Sequence, residues 1–93
     1  MALKKVVNLH ATWCGPCKQF GPVFNTVAND EKYNNIEFNR IDIESDEGTP
    51  LVEKFRIKSI PTTLLLDEND EVISKVMGSM LETDLRDLIE SNL

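Results

Sequence analysis

The 93-residue chain has only two cysteines, one histidine, one tryptophan and one tyrosine, and no basic cluster beyond pairs. Each scarcity excludes something. Two cysteines are too few for a secreted disulfide scaffold, and a pair spaced C-x-x-C braces almost no chain. Together with His10 they make three candidate soft ligands, one short of a closed structural zinc site. Ten basic against sixteen acidic residues leave a net charge of −6, so the basic face on which nucleic-acid affinity rests is missing. No window approaches 18 consecutive apolar residues, which excludes a membrane-spanning helix. Met1-Ala2-Leu3-Lys4-Lys5 runs straight into Val6-Val7 with no apolar stretch of signal length, and the expectation is a cytosolic protein. There is no repeat, low-complexity tract or linker, so residues 1–93 are expected to form one domain. What is present is ordinary for a soluble globular chain, with 41% hydrophobic and 28% charged residues.

The apolar periodicity alternates between two kinds. Val6-Val7-Asn8-Leu9 is apolar on both sides and β-branched, the pattern of a buried central strand, with Asn8 as a polar residue inside it. Phe20, Phe24, Val27 and Ala28 form one face of a helix starting near Cys14, which Pro22 is expected to kink. Tyr33-Asn34-Asn35 reads as a loop. Ile36 to Ile43 alternates as a strand, with Ile36, Phe38 and Arg40 on one face. Thr49 is the expected N-cap of a short helix from Pro50 to Phe55. Pro61 opens a strand at Thr62–Leu66, Asp67 to Asp70 turns, and Glu71 to Met77 is the hairpin partner. Leu81, Leu85, Leu88 and Ile89 mark a final amphipathic helix, capped either by a Ser79/Glu82 box or by Thr83. The order β-α-β-α-β-β-α predicts an α/β fold: a parallel half, an antiparallel hairpin and a closing helix. Asp42, Glu44, Asp46 and Glu53 match part of a calcium-loop spacing, but Glu47 stands where that loop needs glycine, and they read as a solvated loop.

The chemistry concentrates in Trp13-Cys14-Gly15-Pro16-Cys17-Lys18. A nucleophilic cysteine must be a thiolate, and the unpaired amides and dipole of a helix start stabilise one. Cys14 falls at that start and Cys17 about one turn in, so Cys14 is expected to be the more exposed of the two. Pro16 is tolerated in a first turn, Gly15 is expected to let another backbone approach closely, and the charge of Lys18 near Cys14 favours the thiolate.

This motif resembles the active site of the thioredoxins, and Ser59-Ile60-Pro61-Thr62 is similar to the segment carrying that family's cis-proline. Pro22 after Cys17 and Gly78 after the hairpin also match. The resemblance implies a thioredoxin-like domain with a four-stranded mixed sheet flanked by three helices. With 13 residues before Cys14, a trimmed version lacking the family's first strand and helix is expected. By the same resemblance, Cys14 attacks a substrate disulfide and Cys17 resolves the mixed disulfide. Ile60, Pro61 and Gly78 dock the substrate, and Trp13 lines the rim. The implied activity is protein-disulfide reduction, with no bound cofactor beyond the Cys14–Cys17 disulfide. Partners would be disulfide-containing proteins and an NADPH-dependent flavin reductase (a thioredoxin reductase), and the chain is expected to be monomeric. The alternative is an accessory, partner-docking module of the same fold. One departure stands out: six residues before the first cysteine, where thioredoxins usually carry a buried acid, this chain has Asn8. Asparagine cannot titrate, which leaves water or His10 to take the resolving thiol's proton.

Overall fold

Four segments rich in branched residues pair edge to edge, and the helices between them cover both faces of the resulting sheet. A computed structural model describes residues 2–93. The elements are β1 (Leu3–His10), α1 (Gly15–Ala28), β2 (Glu37–Asp42), α2 (Gly48–Lys54), β3 (Thr62–Asp67), β4 (Val72–Met77) and α3 (Glu82–Glu90). The sheet order is β2-β1-β3-β4, with β1 parallel to β2 and antiparallel to β3, and β3 antiparallel to β4. β1 and β3 are therefore the inner strands, and Val6 to Leu9 is buried on both faces as its pattern predicts.

Alternation along β1 divides the core. Val6 packs with Phe20, Phe24, Val27, Leu65, Leu85 and Ile89 beneath α1 and α3, while Val7 and Leu9 join Ile41, Leu64 and Leu66 beneath α2. Phe24 meets Phe20 and Phe38 edge to face, with centroids 6.2 and 5.7 Å apart. α1 continues through Pro22, which sits inside it.

Three local expectations are corrected. Tyr33 belongs to a short 3-10 turn, Glu31–Tyr33, and is buried; its hydroxyl donates to Glu90 of α3 at 2.8 Å. Thr49 does not cap α2, because the helix starts earlier, at Gly48. The Ser45 hydroxyl accepts the Gly48 N–H at 3.0 Å, and the Thr49 hydroxyl turns back to the Ser45 carbonyl at 3.0 Å. Gly48 is required there, since a Cβ would collide with the Asp42 carbonyl. Neither proposed cap of α3 forms: Leu81 holds the N-cap position with no side-chain bond, and Thr83 lies inside the helix. Glu82 and Asp84 in the first turn complement the helix dipole instead.

Candidate active site

β1 ends at His10 and α1 begins at Gly15, so the short link between them lies at one end of the sheet. β3 begins at that same end, since Leu9 stands opposite Thr62. This topology brings Ala11, Cys14 and Cys17 into one small buried apolar cluster, with Ile43 and Ile60 packed against it. Cys14 and Cys17 are joined as a disulfide, with Cα atoms 5.2 Å apart. Cys14 is the N-cap of α1, and its Sγ accepts the Cys17 backbone N–H at 3.2 Å. A sulfur held there faces the first-turn amides, the environment that stabilises a thiolate once the disulfide opens. The exposures fall in the expected order, 6% for Cys14 and 1% for Cys17, although both are recessed.

Trp13 flanks the pair at 65% exposure, and its indole N–H donates to the Glu44 carboxylate at 3.0 Å. The Ile60–Pro61 peptide is cis, and the Ile60 carbonyl lies 3.9 Å from the Cys14 sulfur. The Gly78 N–H donates to the Pro61 carbonyl at 2.7 Å, which places the end of β4 beside the same loop. Gly78 has φ +97°, a backbone that glycine adopts readily. Pro16 occupies the first turn of α1, as expected, and Lys18 is exposed just beyond it. Gly15 does not meet another backbone: no atom lies within 4 Å of a Cβ built there, because that side of the first turn opens to solvent.

Beneath the cysteines runs a polar row that sequence reasoning only partly found. Asn8 is completely buried and stands opposite Arg40 on β2 and Thr63 on β3. Its amide donates to the Thr63 hydroxyl at 3.2 Å, and its carbonyl accepts from Arg40 Nε at 3.2 Å. Arg40 Nη2 donates in turn to the Cys17 carbonyl at 3.2 Å. Burial disfavours the charge of Arg40 and pulls its pKa down, yet guanidinium starts so high that it stays protonated. His10 is held below the ordinary imidazole value, first by burial and then by Arg40, with Asp42 opposing. It is therefore neutral near pH 7. Arg40 carried a sequence signal, a charge on the same strand face as Phe38; Glu44 and Thr63 carried none. Among the described residues no group of three or more His, Cys, Asp or Glu is placed to hold a metal, and no helix is long and apolar enough to cross a membrane.

A cysteine pair bonded at the start of a helix, on a mixed sheet and facing a cis-proline loop, defines a thiol–disulfide oxidoreductase. The thioredoxin family model matches residues 2–91. The chain is 36% identical over 88 residues to a thioredoxin of Staphylococcus saprophyticus, covering 95% of this chain and 81% of the relative. It is 31% identical over 87 residues to one of Mycoplasmoides gallisepticum, covering 94% and 82%. The solved thioredoxin of Fasciola hepatica superposes with a TM-score of 0.82 at 25% identity, covering 99% of this chain and 84% of that one. The chain belongs to the thioredoxin family.

Proposed function

We propose that this protein is a single-domain, cytosolic protein-disulfide reductase that cycles between the Cys14/Cys17 dithiol and disulfide. The carrying observation is the Cys14 sulfur at the N-cap of α1, accepting the Cys17 N–H and facing Ile60 and Pro61. In the reduced protein the Cys14 thiolate attacks one sulfur of a substrate disulfide. A Cys14–substrate S–S bond forms and the substrate bond breaks, its electron pair leaving on the other sulfur, which takes a proton from water. Cys17, deprotonated, then attacks Cys14 Sγ. The protein disulfide forms and the second substrate thiol departs, so two electrons have moved from protein to substrate.

The recess at Cys14 supports docking of an extended substrate segment along Ile60, Pro61 and Gly78, with exposed Trp13 at its rim. Family membership supports recycling by an NADPH-dependent flavin reductase and action as a monomer on disulfide-bearing proteins. The test is the equilibrium reduction potential of the pair, measured against a thiol buffer with alkylation of free thiols. A value near −270 mV, typical of thioredoxins, is expected; one nearer −120 to −180 mV would assign an oxidant or isomerase instead. Cys14→Ser is expected to abolish disulfide reduction. Replacing both cysteines while the biological role survives would reduce the protein to a docking module.

A further inference from the structure

The row under the cysteines, buried at Asn8 and Thr63 and half-buried at Arg40, contains a cation without an acid. Arg40 enters from β2, passes under α1, and spends its donors on the Asn8 carbonyl and on the carbonyl of Cys17 itself. Gly21 makes the passage possible: a Cβ there would lie 2.9 Å from Arg40 Nη1. Among the described residues no carboxylate forms an ion pair with the guanidinium. The other charged or titratable groups on α1, β1 and β2 are Lys18, exposed on α1, Lys4, Lys5 and His10 on β1, and Glu37 and Asp42 on β2. Lys5 and Glu37 stand opposite each other three residues along from the Asn8–Arg40 pair, Lys5 is paired with Asp70, and His10 is neutral near pH 7. Asp42 already accepts the Glu44 N–H at 2.8 Å. The position six residues before Cys14 holds an asparagine whose amide is oriented from both sides, and it offers no proton acceptor.

We infer that Arg40 is the positioning residue of the resolving step: a fixed positive charge, anchored on the Cys17 carbonyl and oriented by Asn8, that favours the Cys17 thiolate in place of a buried proton-accepting carboxylate. The inference rests on the dithiol/disulfide cycle proposed above. In it, the Cys17 thiol loses its proton to water before attack, and the guanidinium fixed on the Cys17 carbonyl compensates the negative charge left on sulfur. The thiolate then attacks Cys14 Sγ and expels the substrate sulfur with the bonding electron pair. Arg40 neither gives nor takes a proton. An acid at position 8 would act against this device, because its carboxylate would pair with the guanidinium and cancel the charge that serves Cys17.

The experiment follows reduced protein reacting with a symmetrical aromatic disulfide whose thiolate is coloured. One thiolate is released when Cys14 attacks and a second when Cys17 resolves the adduct, so the second phase against pH reports the Cys17 titration. Arg40→Gln is expected to move its inflection up by about one pH unit and to slow resolution about tenfold near neutrality. The first phase should change less. Arg40→Lys, which keeps the charge and loses the fork, is expected to recover most of the shift. Asn8→Asp is expected to shift the inflection in the same direction as Arg40→Gln. Superimposable profiles for wild type and Arg40→Gln overturn the proposal, as does slowing with no pH shift in both Arg40 variants, which assigns packing alone. If circular dichroism shows that Arg40→Gln does not fold, Asn8→Asp decides: an unshifted profile overturns the proposal. Cys17→Ser must lose the second release. A wild-type protein that also lacks it refutes the dithiol cycle rather than the part of Arg40.

Discussion

Gly21 decides where the charge of Arg40 sits, and it does so by having no side chain. The atom that a Cβ would press on is the far end of a long flexible side chain, so Gly21→Ala displaces the guanidinium and leaves the backbone alone. Alanine also gains about 1 kcal/mol of helix propensity over glycine inside α1. The expected outcome separates folding from chemistry: a change in stability below about 1 kcal/mol in urea, with slower resolution by Cys17 and a raised pH inflection. A destabilised variant with an unmoved inflection would mean that Arg40 holds its place without the gap at Gly21. Trp13 shows how an exposed aromatic is kept in position. Its indole N–H is tied to Glu44, an acid that the sequence presents as one of a solvated run.

At the scale of elements, the strands and helices were legible because their apolar periods are clean. Phe20, Phe24 and Val27 face the core of α1, and β3 is buried along its whole length. The ends were not legible, since they depend on groups distant in sequence or on backbone alone. Ser45 starts α2 by accepting the Gly48 N–H, and Leu81 begins α3 without any side-chain cap. In the site, the C-x-x-C spacing located both cysteines, and the Ile60-Pro61-Thr62 context located the cis bond. The row of Arg40, Asn8 and Thr63 exists only once β2, β1 and β3 are in register, a pairing that no local pattern encodes. The same holds for the tie between the 3-10 turn and α3. Lys32 pairs with Glu90 at 2.7 Å, the Tyr33 hydroxyl donates to that carboxylate at 2.8 Å, and Arg86 reaches Asp30 at 2.7 Å. These partners, Lys32 first and then Tyr33, hold Glu90 below the ordinary carboxylate value. A depressed carboxylate contributes stability above its unfolded pKa and loses it as pH falls through the folded one. Glu90→Gln is therefore expected to be less stable than wild type at pH 7. The two should converge below about pH 4, as denaturation curves across that range would show. A difference that persists unchanged into acid would remove charge from the account.

For the whole molecule, the disulfide closes so short a loop that it adds to a fold held chiefly by its core rather than making that fold possible. The chain-entropy relation gives about 2 kcal/mol for a loop of this length, against a core of two apolar layers that does not involve either sulfur. Both redox forms are expected to melt cooperatively, the oxidised one higher by at most about 15 °C in calorimetry. A reduced form without a cooperative transition would contradict that division of labour. Linkage makes the same difference a part of the redox poise, since about 1.4 kcal/mol corresponds to 30 mV for a two-electron couple. A net charge of −6 meanwhile favours solubility and disfavours association with polyanions. The one tryptophan of the chain adjoins the sulfur that is oxidised and reduced, and it is pinned there by Glu44. The emission of this single indole is therefore expected to differ between the disulfide and dithiol forms, which fluorescence recorded before and after reduction checks, with no second indole to dilute the change.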